Sequence, residues 1–233
     1  MCASSRNFHV CGTNMKLAGR YFCVISTNMK MNAAPAPNKK RAYRQGARAL
    51  AAEQTGSRIL DAFDQRLATD WYDEITLEQI AKDAEVTAQT VIRRFGGKEG
   101  LLEAVWMRHS KEIENRRRVE PGDVDGAVRV IVEDYEAMGD LVWRSLAQED
   151  RFPAIKAMAD LGRRHHRGWI EQAFAPFLKG LGAPERKMRI DQLVTATDLY
   201  TWKLIRRDMG RSITHVRSLM RALIEGVLND KAA

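Results

Sequence analysis

The sequence predicts an all-α protein of about nine helices. An amino-terminal three-helix helix-turn-helix domain is followed by a larger helical domain. Three observations predict this. From about Gly46 onwards, apolar residues recur at the three-and-four spacing of helices. No long alternating Val/Ile/Thr-rich run signals a strand or hairpin. The stretch EITLEQIAKDAEVTAQTVIRRFGGKEG, residues 74–100, reads as two short helices with a tight break between them.

Residues 1–45 lack sustained periodicity and include the breaker-rich NAAPAPNKK, so a disordered basic tail is expected there. The net charge of +8 is concentrated in this region. Nine of the 38 Lys/Arg fall within residues 1–48, where there is no acid; the remaining 29 bases meet 30 acids. The body is therefore near neutral, and the basic arm suits either phosphate contact or simple solubility. Cys2, Cys11 and Cys23 also lie there, odd in number and without a C-x2-C pair, which supports neither a disulfide framework nor a zinc site. No run approaches the ~18 apolar residues of a membrane span. YFCVIS is too short for a signal-peptide core. A cytoplasmic protein without membrane association is the expectation.

The amino-terminal helical domain covers residues 46–106. Its first helix is predicted from about 47 to 69, with Ile59, Leu60, Phe63 and Leu67 on one face. Thr76 with Gln79 fits a capping box, opening a two-turn helix through Leu77, Ile80 and Ala81. After Glu85–Thr87, Thr87 caps AQTVIRRF. Here spacing turns Val91, Ile92 and Phe95 inward and leaves Gln89, Thr90, Arg93 and Arg94 outside. Gly96-Gly97 breaks the chain before a long helix from Lys98 to about residue 119, and Pro121-Gly122 marks a boundary.

Spacing alone leaves two readings of the polar face: a solvated surface, or a recognition helix for a DNA major groove. On the second reading Thr87 and Thr90 reach phosphate or a thymine methyl, and Gln89 pairs with adenine. Arg93, Arg94 and Lys98 hold the backbone. The DNA-contacting set is then Thr76, Thr87, Ala88, Gln89, Thr90, Arg93, Arg94 and Lys98. Arg44 and Arg48 of KKRAYRQGAR join it as an arm entering a minor groove, or as a non-specific attractor of DNA.

Residues 58–106, RILDAFDQRLATDWYDEITLEQIAKDAEVTAQTVIRRFGGKEGLLEAVW, resemble the amino-terminal domain of the TetR family of transcriptional regulators. The family pattern is a Thr-opened helix with Ile-Ala, a Val-Ser/Thr turn, a recognition helix ending in Phe, and Lys-Glu-x-Leu-Leu. The resemblance implies a homodimer with a divergent ligand-binding domain. It also implies repression of a palindromic operator, relieved by a small-molecule effector. The chain departs from the pattern at Trp71 and Glu85, where the family has Gly, and at Ile92, where it has a backbone-contacting Tyr. A Gly in such turns permits positive φ at no steric cost. Trp71 and Glu85 therefore point to altered or strained turns.

Residues 123–231 form the predicted ligand-binding and dimerisation domain. GAVRVIVEDYEAMGDLVWRSLA reads as one helix or two, interrupted near Gly139. A helix from Phe152-Pro153 runs to Leu178, one from Pro184 to Leu204, and Ser212 caps the last. Arg163, His166, Trp169 and Ile170 recur at helical offsets, and Tyr135, Trp143, Phe174, Tyr200 and Trp202 add aromatic bulk. These suit a small-molecule pocket or plain core. Leu193, Leu204, Val216, Leu219, Met220, Leu223, Ile224 and Val227 form apolar stripes, expected to pair with a symmetry mate in a four-helix dimer interface rather than within the chain.

His165-His166 are adjacent and cannot form an i, i+4 metal pair. No Ser-His-Asp order, carboxylate pair or Gly-rich phosphate loop stands out, and GGKEG lacks the P-loop framework. The expectation is a ligand-responsive DNA-binding repressor, not an enzyme, with no catalytic residues, cofactor or metal. The alternative is a helical ligand-binding or enzymatic domain whose degenerate helix-turn-helix no longer binds DNA.

Overall fold

The computed structural model describes the backbone of residues 39–230 and side chains from residue 46 on. The chain divides into two units between Tyr43 and Arg44, and the second carries both hydrophobic cores. Among the described residues every element is helical, as the periodicity predicted. The predicted tail as far as residue 38, with its three cysteines, lies outside the described residues.

The helix-turn-helix module opens with α1 (Lys39–Thr69), followed by a 3-10 turn at Tyr72–Glu74. Then come α2 (Leu77–Asp83), α3 (Ala88–Phe95) and α4 (Lys98–Arg116). α1 starts at Lys39, not near 47, because KKRAYRQGAR is rich in the helix formers Lys, Arg, Ala and Gln. The capping box is present: Gln79 N donates to Thr76 Oγ1, and Thr76 N donates to Gln79 Oε1. Ile59, Phe63 and Leu67 of α1 meet Ile80, Val91, Leu101, Leu102 and Val105 in one core. Each such burial stabilises by about 1.5–3 kcal/mol.

The second domain holds α5 (Val124–Leu146), α6 (Pro153–Ala173), α7 (Ala175–Leu178) and α8 (Ala183–Ala196). α9 (Leu199–Lys203) runs into a five-residue π turn at Leu204–Asp208, and α10 (Ile213–Asn229) ends the fold. α5 is continuous through Gly139. That glycine is a packing residue: a Cβ there would lie 2.5 Å from the Trp202 ring. The predicted helix from Pro184 to Leu204 breaks at Thr197-Asp198, where Asp198 Oδ1 accepts from Tyr200 N and caps α9. Ser212 caps α10 as predicted.

The two domains pack directly. Ile155 of α6 is buried in the core of the module. Arg144 of α5 donates to the carbonyls of Leu67 and Ala68 at the end of α1, groups a helix terminus leaves unsatisfied.

Candidate nucleic-acid interface and ligand cavity

The turn between α2 and α3 is held by Glu85 N donating to Lys82 O and Val86 N donating to Ala81 O. Glu85 takes φ +54°, the one positive φ at a non-glycine among the described residues. The strain expected from the missing glycine is therefore present at Glu85. It is absent at Trp71, whose backbone is extended with φ −74°. Trp71 instead packs against Trp143, ring centroids 6.2 Å apart.

α3 presents a different set of side chains from the one spacing suggested. Val91 is fully buried and Phe95 half-buried, but Ile92 is 42% exposed. The reason is geometric: Val91 and Phe95, four apart, share a face, and Ile92 stands about 100° round from Val91. The Thr87 hydroxyl accepts from Thr90 N at 3.2 Å and lies 3.0 Å from the Thr90 hydroxyl, so both are engaged in the cap. Ala88 is half-buried against the module core. Thr76 is exposed at the cap of α2.

Two predicted phosphate contacts are turned elsewhere. Lys98 donates to Tyr72 O at 2.7 Å and Ile75 O at 2.9 Å, its ammonium 4.2 Å from the centre of the Tyr72 ring. Burial pulls its pKa below the usual lysine value. It ties the start of α4 to the 3-10 turn instead of facing outward. Arg94 folds back along α1: its guanidinium occupies the space a Cβ at Gly56 would fill. Gln89 and Arg93 remain exposed, with no hydrogen bond or ion pair among the described residues. Arg48 is exposed on α1, and the Arg44 side chain lies outside the described residues.

A cavity of about 720 Å³ lies between α4, α5, α6, α8 and α9. Of the predicted ligand residues, Tyr135, Arg163, His166, Trp169 and Tyr200 line it. Trp143, Ile170, Phe174 and Trp202 do not. Ile170, Phe174 and Trp202 are fully buried core, and Trp143 lies between Trp71 and the Lys203 ammonium. Aromatic spacing marks burial equally well whether a cavity or a neighbouring helix is on the other side.

The cavity wall contains a charged network that the sequence reading missed. Asp134 is only 2% exposed and accepts from Arg116 Nε at 2.9 Å and Arg117 Nε at 2.8 Å. Arg117 lies 5.3 Å over the Tyr135 ring and 5.9 Å over the Trp169 ring, and its carbonyl accepts from Trp169 Nε1. Its Nη1 is 3.3 Å from His166 Nδ1. The Thr197 hydroxyl donates to Leu193 O at 2.8 Å, so its oxygen is left to accept from His166 Nε2, 3.1 Å away. His166 is therefore the neutral Nε2–H tautomer, its bare Nδ1 accepting from Arg117. Burial first, and then the Arg117 charge, push its pKa down to about 3. The available signal for this network was Asp134 itself, an acid one turn after Val130 and Ile131 on the inward face of VIVEDYEAM.

The apolar stripes also divide. Leu193, Val216, Met220 and Ile224 are fully buried in the core of their own chain, correcting their expected place at a dimer interface. The i, i+4, i+8 line Val216–Met220–Ile224 faces inward, and α10 packs on α5 and α8. Leu219 and Val227 are half-buried, while Leu204 and Leu223 are 53% and 46% exposed.

Residues 59–105 match the family model of bacterial regulatory proteins, tetR family. The uncharacterized HTH-type transcriptional regulator YvkB of Bacillus subtilis strain 168 is 43% identical over 56 residues, 24% of this chain. The match spans about 30% of that relative's length. The fold resembles a solved structure described as a transcriptional regulator from Pseudomonas aeruginosa PAO1, with a TM-score of 0.60 at 13% identity, over 76% of this chain and 92% of that one. It also resembles a structure described as a TetR-family regulator from Mesorhizobium loti MAFF303099, with a TM-score of 0.56 at 15% identity, over 76% of this chain and 96% of that one. The helix-turn-helix of this chain, residues 59–105, is thus similar in sequence to the tetR family of bacterial regulatory proteins, and the chain shares its fold with solved structures described as regulators.

Proposed function

We propose that this chain is a homodimeric transcriptional repressor that binds a palindromic DNA operator and leaves it when a small-molecule effector fills the cavity. The observation that carries the reading is the course of α4. Lys98 anchors its start to the helix-turn-helix, and Arg117 at its end forms part of the cavity wall with Asp134 and His166, while Arg116 braces Asp134. A ligand that displaces this wall acts on a rod of about 28 Å, at about 1.5 Å per residue over 19 residues, joined to the reading head. Gln89 and Arg93 are the outward groups for an adenine edge and a phosphate. Leu204 and Leu223, with the half-buried Leu219 and Val227, supply an apolar patch for the second copy. In such a dimer the recognition helices stand ~34–36 Å apart or a multiple of that.

Selection of bound sequences from random DNA tests the reading. The expected result is a palindrome bound by a dimer, with affinity falling steeply as salt rises. Equal affinity for the selected and random DNA would leave a helical ligand-binding protein without operator recognition. A thermal-shift screen of small molecules then finds effectors, since ligands of the folded state raise the melting temperature. An effector must also release the operator.

A further inference from the structure

The exposed isoleucine on α3 is unexplained by packing, and its neighbours are the polar groups assigned to reading DNA. Val91 points straight into the module core; Gln89 and Arg93, two residues to either side, point away from it. Ile92 lies between these directions and is three residues from Gln89, so the two side chains stand side by side on the outer surface. On the opposite flank the Thr90 hydroxyl is held by Thr87 and the Arg94 guanidinium lies back on Gly56. Ile92 is the only exposed large apolar side chain on α3.

We infer that Ile92 reads the 5-methyl group of a thymine in the major groove, next to the adenine that Gln89 reads. Isoleucine has no donor or acceptor for a phosphate, and the thymine methyl is the apolar group that a major groove presents to a recognition helix. With Gln89 at an adenine edge, its i+3 neighbour Ile92 stands about 5–6 Å away on the same outer surface of the helix. The assignment adds Ile92, the exposed large apolar side chain of α3, to Thr87 and Thr90 as a candidate for methyl contact. It rests on the DNA-binding function proposed above.

The test uses the full chain and the operator obtained by selection. Each thymine is replaced in turn by deoxyuridine, which removes only the 5-methyl, and binding is measured for wild type, Ile92→Ala and Ile92→Val. Wild type should lose about fourfold at one thymine per half-site, the worth of roughly one buried methyl group. Ile92→Ala should lose a similar factor on the thymine operator and nothing further on the deoxyuridine operator. Ile92→Val should keep part of the methyl sensitivity. Matching melting temperatures for the three proteins exclude a folding defect at this exposed position. If no thymine is methyl-sensitive, or Ile92→Ala remains as sensitive as wild type, the assignment is wrong while operator binding stands. If selection yields no preferred sequence, the DNA-reading proposal itself fails and the assignment falls with it.

Discussion

Arg117 at the end of α4 reaches the bare Nδ1 of His166 in the middle of α6, with 3.3 Å between the nitrogens, and burial together with the Arg117 charge keeps that histidine neutral. The folded pKa, about 3, lies below the usual 6.5, so the unfolded chain binds the extra proton between these values. Stability is therefore complete above about pH 6.5 and is lost as pH falls towards 3, at up to about 1.4 kcal/mol per pH unit. Urea midpoints measured from pH 7 to pH 4 should fall more steeply for wild type than for His166→Gln. Parallel curves would remove His166 from the account.

Asp134 serves two arginines from a buried position. Asp134→Asn leaves both guanidiniums without their carboxylate and should destabilise by about 3–5 kcal/mol in urea unfolding, the cost of breaking a buried charge pair from one side. A loss below about 1 kcal/mol would show that water or Glu112, 3.7 Å from Arg116, replaces the acid.

Lys98 and Arg93 should separate stability from DNA binding. Lys98→Met removes the donor to the half-buried carbonyls of Tyr72 and Ile75 and should cost about 1–3 kcal/mol of stability. The slope of log affinity against log salt should not change. Arg93→Ala should leave stability within about 0.5 kcal/mol and reduce that slope by about 1. The opposite pattern would place Lys98, not Arg93, on the phosphate backbone.

Glu85→Gly should stabilise the protein by about 0.5–1 kcal/mol. It relieves a side chain held at φ +54°, a cost of about 1–2 kcal/mol, against glycine's greater freedom in the unfolded chain. The Arg58–Glu85 pair lost with it is exposed and 3.7 Å long, so it contributes little. A lower melting temperature would mean that the turn is not strained.

Local rules reached far into this fold because its signals are local. Thr76 with Gln79, Thr87 and Ser212 are caps whose partners lie three residues on, so a linear reading finds them. Glu85 stood out in the turn and duly takes positive φ. Failures came where a partner is remote in sequence. The sequence leaves one helix or two around Gly139; the helix is continuous, and Trp202, 63 positions later, needs the missing Cβ. A linear reading sends Lys98 to DNA, yet its acceptors are the carbonyls of Tyr72 and Ile75. Apolar spacing offers Met220 to a second chain and aromatic bulk offers Trp202 to a ligand or to plain core, and both fill the core of their own domain.

The sequence by itself determined the helices, their caps, the strained turn and the helix-turn-helix, because helical period and capping chemistry act over three or four residues. Only the tertiary structure decided which of the outward groups of α3 are unengaged, which aromatics border space rather than protein, and that Asp134, Arg117 and His166 meet at one wall. The last of these depends on contacts between residues 17 and 49 positions apart. In a low-dielectric interior such contacts set where a charge can stay and which proton a histidine keeps.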